Sequence, residues 1–329
     1  MHNFSADKIF TLKSNNQFND IAIEIFNDQA ENNLVYKEYL FHLGVNVSSV
    51  KRIEEIPFLP IEFFKTHQVV SGTAEIQKTF YSSGTTGMER SNHHLADISI
   101  YEKSFITSFE QQYGKISNYC ILALLPTYLE NESSSLVYMV DYFIKESAHS
   151  ESGFYLNNHE ELASKLRSLA KSKTKILLIG VSYALIDLAE KFPVDLSNII
   201  IMETGGMKGK RKELTKKELH NYLSSRFGVT TIHSEYGMTE LLSQAYSKGH
   251  GKFYTPPWMK IMIRDTYDPF SYLENGKSGG INVIDLANIY SCSFIETKDL
   301  GRINEDKSFE ILGRFDYSDI RGCNLMVTE

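Results

Sequence analysis

Lys175-Ile176-Leu177-Leu178-Ile179 and Asn198-Ile199-Ile200-Ile201-Met202 decide the fold, because they are two short apolar runs separated by a segment with helical spacing, 183–192. Short runs rich in Ile and Leu are typical of strands that are buried on both faces of a parallel sheet. Parallel neighbours need a crossover connection, and a helix is the usual one. The stretch therefore predicts a β-α-β unit.

The same alternation continues on both sides of this unit. Upstream, residues 160–171 predict a helix, and Asn158 with Glu161 fit a capping box at its start. Downstream, residues 216–227 predict another helix, and residues 229–233 predict the strand that follows it. Strands that alternate with helices in this way predict a twisted, mostly parallel sheet flanked by helices, the α/β class.

The rest of the chain divides into regions of different texture. Residues 1–66 predict an N-terminal helical region, and residues 67–255 predict the α/β region, which also contains the buried apolar run 119–125. After Pro256-Pro257 the sequence changes to short alternating segments separated by turns. This pattern predicts a small β-barrel subdomain with a short C-terminal tail over residues 256–329.

Composition limits the classes of function. The chain has 329 residues and 42% hydrophobic content, which is enough for a substantial core. Its 34 basic and 41 acidic residues give a net charge of −7, so no overall cationic field points to nucleic acid or to an anionic membrane. A small ligand or a protein partner is favoured.

Cysteine usage and the N-terminus indicate the compartment. The chain has three cysteines, Cys120, Cys292 and Cys323, with no C-x-x-C pair, which is typical of a reducing compartment and of a protein without structural zinc. The first residues lack the basic and apolar regions of a signal peptide, and no apolar run approaches the ~20 residues that span a bilayer. We expect a cytoplasmic protein without stable membrane insertion and without a transition metal.

Residues 81–94, YSSGTTGMERSNHH, have the composition of an anion-binding loop. Glycines allow close approach of the backbone, and successive N–H groups with hydroxyl side chains form a nest for phosphate oxygens. The candidate phosphate ligands are Ser82, Ser83, Gly84, Thr85, Thr86 and Gly87, with Arg90 as a matching cation. The loop is not a Walker A motif, since Met88 stands where that motif has lysine. Taken alone, such a loop is more often an ordinary turn than a nucleotide site.

Four further motifs follow the loop in a fixed order. They are Gly205-Gly206-Met207, Tyr236-Gly237-Met238-Thr239-Glu240, Thr297-Lys298-Asp299-Leu300-Gly301 and Gly313-Arg314-Phe315-Asp316. Taken singly, each has a structural explanation: a packed tyrosine ring, a charge at a helix N-terminus, a turn former, or a surface ion-pair partner. In this order, behind the loop, the series resembles the signature motifs of the adenylate-forming superfamily, which includes acyl-CoA synthetases, peptide-synthetase adenylation domains and firefly luciferase.

A closer resemblance covers about residues 50–325. Segments such as Leu125-Pro126-Thr127-Tyr128-Leu129-Glu130 and Thr204-Gly205-Gly206-Met207-Lys208-Gly209 resemble the acyl-protein synthetases of the bacterial luminescence fatty-acid reductase complex, also called long-chain-fatty-acid luciferin-component ligases. This resemblance implies ATP and Mg²⁺ as cofactors, a fatty-acid substrate, and an acyl reductase or acyl-carrier protein as partner.

The resemblance also implies a role for each motif. Residues 82–87 would hold the β- and γ-phosphates of ATP, with Arg90 standing in for the lysine that usually ends this motif. Glu240 would bind Mg²⁺, for which a hard oxygen ligand is suitable, and Thr239 would contact the α-phosphate. Asp299 and Arg314 would hold the ribose hydroxyls. The residues on the adenine side of the nucleotide would be Gly205, Gly206, Met207, Tyr236 and Gly237.

One departure from the superfamily concerns the end of the chain. Most of the superfamily carries a C-terminal domain with a catalytic lysine, whereas only residues 315–329 follow Arg314 here, so that domain is expected to be absent. The luminescence synthetases resemble this chain in ending soon after the motif, and their acyl acceptor is a cysteine near the C-terminus. Cys323 has the matching Arg-Gly-Cys position. An unreactive cysteine remains the alternative.

These observations predict an AMP-forming acid–thiol ligase that activates a carboxylic acid with ATP and passes the acyl group to Cys323. A ligase that acylates coenzyme A or an acyl-carrier protein is the nearest alternative. The alternative from another class is a nucleotide- or acyl-binding subunit of a reductase complex that performs no chemistry.

Overall fold

The computed structural model describes residues 6–83, 89–126, 129–192, 195–205 and 214–315. The α-helices of these residues are α1 (Asp7–Phe10), α2 (Asn15–Asn32), α3 (Leu34–His42), α4 (Phe63–Thr66), α5 (Ile98–Tyr113), α6 (Ser135–Ser147), α7 (His159–Leu169), α8 (Ser182–Lys191) and α9 (Lys216–Phe227). None of the helices in these ranges is long and apolar enough to cross a membrane.

The strands of the same residues belong to one large sheet and one hairpin. They are β1 (Leu59–Pro60), β2 (Lys78–Tyr81), β3 (Asn92–Leu95), β4 (Tyr119–Leu124), β5 (Gly153–Phe154), β6 (Lys175–Val181), β7 (Ile200–Thr204), β8 (His233–Tyr236), β9 (Ala245–Ser247), β10 (Phe253–Tyr254), β11 (Met259–Arg264), β12 (Gly279–Asp285), β13 (Phe294–Ile303) and β14 (Phe309–Arg314).

The large sheet has the order β11-β12-β13-β14-β10-β9-β8-β7-β6-β4-β5, with β1 paired to β13. Strands β5, β4, β6, β7 and β8 are parallel to one another, and the pairs from β8 through β9, β10 and β14 to β11 are antiparallel. Helices follow the parallel strands, so the predicted fold class, an α/β sheet flanked by helices, is confirmed.

The parallel half follows the sequence pattern, with two strands displaced. The strand predicted over 198–202 lies two residues later, at Ile200–Thr204, and the strand after α9 is displaced further. Helix α9 has the predicted bounds, but the strand predicted over 229–233 lies instead at His233–Tyr236. Gly228 ends α9 in the left-handed conformation with φ of 65°, and the Val229 N–H returns to the Ser224 carbonyl. Because this helix end uses Val229, the chain reaches the sheet later, and the pairing with β7 starts at Met202 and His233.

The antiparallel half contains the strands predicted to form a small barrel. Strands β11 to β14 form an antiparallel meander that joins the parallel half through β10 and β9, so the described residues place them in the same sheet. The region boundaries at 66/67 and 255/256 stay a prediction.

The N-terminal helices pack on a loop of the antiparallel half. The helical region has a break at Asn33, whose side-chain oxygen accepts a hydrogen bond from Tyr36 N at 3.0 Å and so caps α3. The Asn33 amide also donates to the Ser291 carbonyl at 2.9 Å. Gln29 Nε2 on α2 donates to the Asn288 carbonyl at 2.9 Å. These buried amides attach the helices to the loop 286–293 that joins β12 to β13.

The candidate phosphate loop connects the two strands of the separate hairpin. Strands β2 and β3 pair in antiparallel fashion, and the pairing extends to Ser82 N, which donates to the Ser91 carbonyl at 3.0 Å. The Ser91 N–H in turn donates to Ser82 Oγ at 2.9 Å. Both ends of the loop are therefore fixed.

Candidate active site

The structure describes most of the predicted site residues. Those that lie outside the described residues are Gly84, Thr85, Thr86, Gly87, Gly206, Met207 and Cys323. The others lie in two groups. One group lies on strands β8, β13 and β14 and at the end of β7, and the other lies on the irregular segments next to β2, β3 and β8.

The first group brings together the predicted base and ribose residues. Asp299 on β13 is the cross-strand partner of Arg314 on β14, and the Arg314 Nε lies 3.3 Å from Asp299 Oδ1. Tyr236 Oη, at the end of β8, donates to Asp299 Oδ2 at 2.9 Å. Burial raises the pKa of Asp299, while Arg314 opposes that effect. The three side chains thus form one cluster between two halves of the sheet.

The aromatic ring of Tyr236 is fixed in orientation. It is buried and makes edge-to-face contacts with Phe253 at 6.1 Å and Phe309 at 5.6 Å between ring centroids. Gly205, which follows β7, is exposed with φ of 67° and has open space around its Cα. Since Thr204 on β7 pairs with Glu235 on β8, Gly205 and Tyr236 follow at neighbouring strand ends. The exposed Gly205 backbone and the buried Tyr236 ring therefore lie at adjacent strand ends.

The second group surrounds Glu240. Its side chain is buried, and this burial raises its pKa, while a hydrogen bond with Ser91 and the charge of Arg314 lower it and the charge of Asp299 raises it. Glu240 therefore interacts electrostatically with the first group. Thr239 is partly buried, and Gly237 is exposed. A Cβ atom on Gly237 would lie 2.5 Å from Glu235 Oε1, so a side chain there would displace Glu235.

The remaining described residues belong to the loop ends. Ser82 is partly buried and Ser83 and Arg90 are exposed. Arg90 precedes Ser91, which carries the hydrogen bond to Glu240, so the strand that leaves the phosphate loop reaches the carboxylate. Arg90 itself is exposed, one residue before the serine that contacts Glu240.

Two buried carboxylates at the ends of β7 and β8 were not predicted. Glu203 accepts from Lys216 Nζ at 2.5 Å and lies 3.3 Å from His220 Nε2. Its burial would raise its pKa, but Lys216 and His220 prevail and lower the pKa to about 2. Glu235 accepts a hydrogen bond from the Thr204 hydroxyl at 2.5 Å, and burial raises its pKa to about 7, against the opposing effects of that hydroxyl and of the Lys216 charge. Glu203 directly follows the apolar residues of β7, which was the available sequence signal for it, whereas Glu235 lies in the polar stretch 233–235 and gave none.

Other polar residues of the site were missed because they are far away in sequence. Ser91 and His93 were visible in the loop stretch but have no motif of their own, and Asp285 and Asn288 follow an apolar strand without any recognisable pattern. All four contact the segment that contains Glu240.

Glu240 suits a magnesium ion that is shared with a nucleotide. The described residues contain no group of three or more His, Cys, Asp or Glu side chains arranged around a metal position. Mg²⁺ in nucleotide sites usually takes one or two protein carboxylates, with phosphate oxygens and waters as its other ligands. A single carboxylate next to a hydroxyl and a phosphate loop meets that requirement.

Solved structures with the same fold include a CoA ligase in complex with an adenylate and a protein with ATP bound. A 2-hydroxyisobutyryl-CoA ligase in the postadenylation state, in complex with R3-HIB-AMP, is 11% identical, covers 96% of this chain and 72% of its own, and has a TM-score of 0.66. MatB from Rhodopseudomonas palustris with ATP bound is 16% identical, covers 74% of this chain and 49% of its own, and has a TM-score of 0.54. The chain thus spans about half the length of MatB. The fold is that of the large N-terminal domain of adenylate-forming ligases.

The family follows from the sequence as a whole. The sequence model of the acyl-protein synthetase (LuxE) family matches residues 7–329. The chain belongs to this family. A comparison with curated proteins gives no match.

Proposed function

We propose that the protein uses ATP to convert a carboxylic acid, a fatty acid by the resemblance, into an acyl-adenylate and then transfers the acyl group to the Cys323 thiol. In the first step the carboxylate oxygen forms a bond to the α-phosphorus, and the bond from that phosphorus to the bridging oxygen breaks, so pyrophosphate leaves with the electron pair. In the second step the thiolate attacks the acyl carbonyl carbon and AMP leaves.

The contact between Tyr236, Asp299 and Arg314 carries this proposal. A base stacked on Tyr236, beside the exposed backbone of Gly205, would place its ribose hydroxyls at Asp299, and a carboxylate is a good acceptor for a vicinal diol. Glu240 is close enough to Arg314 and Asp299 to interact with both electrostatically. The phosphates of the same nucleotide would then extend from the ribose toward Glu240 and the loop 82–87.

In this arrangement each side chain has a limited task. Thr239 and Arg90 would bind the α-phosphate and the departing pyrophosphate, and Glu240 would hold the metal ion. Mg²⁺, when bound, neutralises charge that develops on the phosphate oxygens. Preorganised charges and backbone N–H groups are usually the largest contribution to catalysis in such sites.

Cys323 lies outside the described residues, so its assignment as the acceptor rests on the Arg321-Gly322-Cys323 match alone. Arg321 beside the thiol would favour the thiolate, which is the nucleophilic form. The acyl-cysteine would be handed to a reductase, or an acyl-carrier protein would take its place as acceptor.

The experiment is a pair of assays on the wild-type protein and on Cys323→Ser. We expect carboxylate-dependent ATP–pyrophosphate exchange in both proteins, because adenylation does not need the thiol. Only the wild type should incorporate labelled fatty acid as a hydroxylamine-sensitive thioester. The control is the wild type without carboxylic acid.

The alternatives predict other results. Acylation of coenzyme A or of a carrier protein, with unlabelled wild-type protein, would favour the ligase that transfers to a soluble thiol. Absence of exchange with short- and long-chain acids alike would favour the subunit that binds nucleotide or acyl group without performing chemistry.

A further inference from the structure

Glu240 lies in a segment that no strand pairing fixes. Strand β8 ends at Tyr236 and β9 begins at Ala245, and residues 237–244 form turns and irregular structure. The segment contains a tight turn in which Leu241 N donates to the Met238 carbonyl at 3.1 Å. Where no ladder pairs the backbone, its buried N–H and C=O groups need side-chain partners. The identity of those partners decides where the Glu240 carboxylate points.

Three buried side chains bind this backbone from two sides. His93 Nδ1 lies 2.8 Å from the Thr239 carbonyl oxygen, and Asn288 Nδ2 donates to the Glu240 carbonyl oxygen at 2.8 Å. The Asp285 carboxylate accepts from Leu242 N at 2.8 Å and from Ser243 N at 2.9 Å. The peptides on both sides of Glu240 are therefore held by side chains that are themselves almost completely buried.

The hydrogen bond from His93 defines its tautomer. A carbonyl oxygen can only accept, so the proton of the neutral ring is on Nδ1. Burial lowers the pKa of His93 to about 4, although the Thr239 carbonyl opposes this change. The ring is neutral at physiological pH, packs edge-on against Phe64, and remains a donor to Thr239.

Strand β3 connects this contact to the phosphate loop. Ser91, just before the strand, has a hydrogen bond with the Glu240 carboxyl group, and His93 within it binds the preceding carbonyl. On the other side, the loop that carries Asn288 is attached to α2. Gln29 Nε2 donates to the Asn288 carbonyl at 2.9 Å, and Ser293 N donates to Gln29 Oε1 at 2.9 Å.

We propose that His93 and Asn288 are positioning residues, which hold the backbone of Thr239 and Glu240 so that the Glu240 carboxylate meets the metal ion of the bound nucleotide. This inference rests on the proposed function. Loss of either donor leaves a buried carbonyl unpaired, and the segment rearranges to recover a partner. The carboxylate then moves away from the metal position.

The test uses variants that separate the hydrogen bond from packing. His93→Phe keeps a ring against Phe64 and removes the donor, whereas His93→Asn restores an N–H donor near the position of Nδ1. Asn288→Ala removes the donor to Glu240. Its matched control is Asn33→Ala, because Asn33 is also buried and donates to the same loop, at Ser291, without touching residues 239–243.

Two measurements are made on the full chain. The first is Mn²⁺ affinity, followed by electron paramagnetic resonance in the presence of a non-hydrolysable ATP analogue. The second is the Mg²⁺ concentration for half-maximal ATP–pyrophosphate exchange. We expect His93→Phe and Asn288→Ala to weaken both by about 10- to 100-fold, the usual effect of removing a group that orients a metal ligand. His93→Asn and Asn33→Ala should retain the wild-type values, with circular dichroism confirming folded protein.

Unchanged metal affinity in folded His93→Phe and Asn288→Ala would overturn the proposal, and so would an equal loss in Asn33→Ala. Exchange by the wild type together with unchanged affinity in the variants would refute the positioning role alone. Metal–nucleotide binding by the wild type without exchange would refute the proposed reaction, while the resonance titration would still decide the positioning role.

Discussion

The two groups of the candidate site are built in different ways. Tyr236, Asp299 and Arg314 lie on strands whose register is fixed by backbone hydrogen bonds. Glu240 lies on an irregular segment whose course depends on the side chains of His93, Asn288 and Asp285. The first group, the strand-built half of the candidate site, is therefore fixed by the fold itself, whereas the second group around Glu240, the loop-built half, is fixed by a small number of hydrogen bonds.

This difference assigns separate sensitivities to the two halves. A substitution in the strand-built half removes a ligand contact and leaves the backbone where it is. A substitution around the loop-built half also changes the backbone that carries the ligand. We therefore expect changes in nucleotide affinity from the first half and changes in turnover and metal dependence from the second.

The largest effect is expected for Glu240→Gln in the loop-built half. The amide is similar in size but carries no charge for the metal ion. ATP–pyrophosphate exchange should decrease by about 10²- to 10³-fold, the usual result of removing one preorganised electrostatic group. Glu240 is buried, and a neutral amide of similar size is less costly to bury than a charged carboxylate. The substitution should therefore not unfold the protein. Exchange at the wild-type rate, in protein that melts normally, would remove Glu240 from the metal site.

A smaller effect, in a different parameter, is expected for Asp299→Asn in the strand-built half. A hydrogen bond to a charged group contributes about 1.5–3 kcal/mol, so KM for ATP should rise roughly 10- to 100-fold while exchange at saturating ATP is retained. Tyr236→Phe, which keeps the ring and removes only the Oη donor to Asp299, is the matched control and should change KM much less. If Asp299→Asn reduced turnover and left KM unchanged, the assignment of Asp299 to the ribose would be wrong.

The sequence predicted the strand-built part of the fold better than the connections. Apolar periodicity located α9 and the strands β4, β6 and β7, because these elements are buried and their patterns reflect that burial. The β-branched residues at 229–232 predicted a strand that the end of α9 displaces. The helix break at Asn33 was not predicted, although Asn is a favoured N-cap residue and caps α3 locally; its other hydrogen bonds, at Ser71 and Ser291, are with distant residues.

The site was predictable to the extent that it is local. The motifs named Tyr236, Glu240, Asp299 and Arg314. The structure places Tyr236 and Arg314 in contact with Asp299, with Glu240 near enough to be affected by the charges of Asp299 and Arg314, and their roles stay predictions. The partners of the Glu240 segment were not predictable, because Asn288 and Asp285 come from a loop whose position depends on the whole sheet. A motif reports residues that are adjacent in sequence, and a folded loop is held by residues that are not.

Glu203 on β7 and Glu235 on β8 provide a further comparison, between two carboxylates on neighbouring strands. They lie on neighbouring strands and both are buried, yet the pKa of Glu203 is lowered to about 2 and the pKa of Glu235 is raised to about 7. Lys216 and His220 compensate the charge of Glu203, while Glu235 has one hydroxyl donor and the negative charge of Glu203 nearby. Compensating charge, and not burial alone, decides which carboxylate is ionised.

The last and smallest effect follows from the raised pKa of Glu235 and is expected only as a dependence on pH. Because the folded protein binds this proton more tightly than the unfolded chain, whose ordinary value is 4.5, the stabilisation is complete below that value and is lost as pH rises through about 7. Between pH 5 and pH 8 the free energy of unfolding of the wild type should therefore fall by about 2 kcal/mol more than that of Glu235→Gln, measured by urea denaturation. Glu203 titrates below this window and does not contribute.

Thr204→Val sharpens the comparison. Without the hydroxyl that stabilises the ionised form of Glu235, the decline in the free energy of unfolding should move to higher pH. Parallel pH profiles of the wild type and Glu235→Gln would mean that Glu235 keeps its proton equilibrium on folding, and its burial between the strands would then need another source of compensating charge.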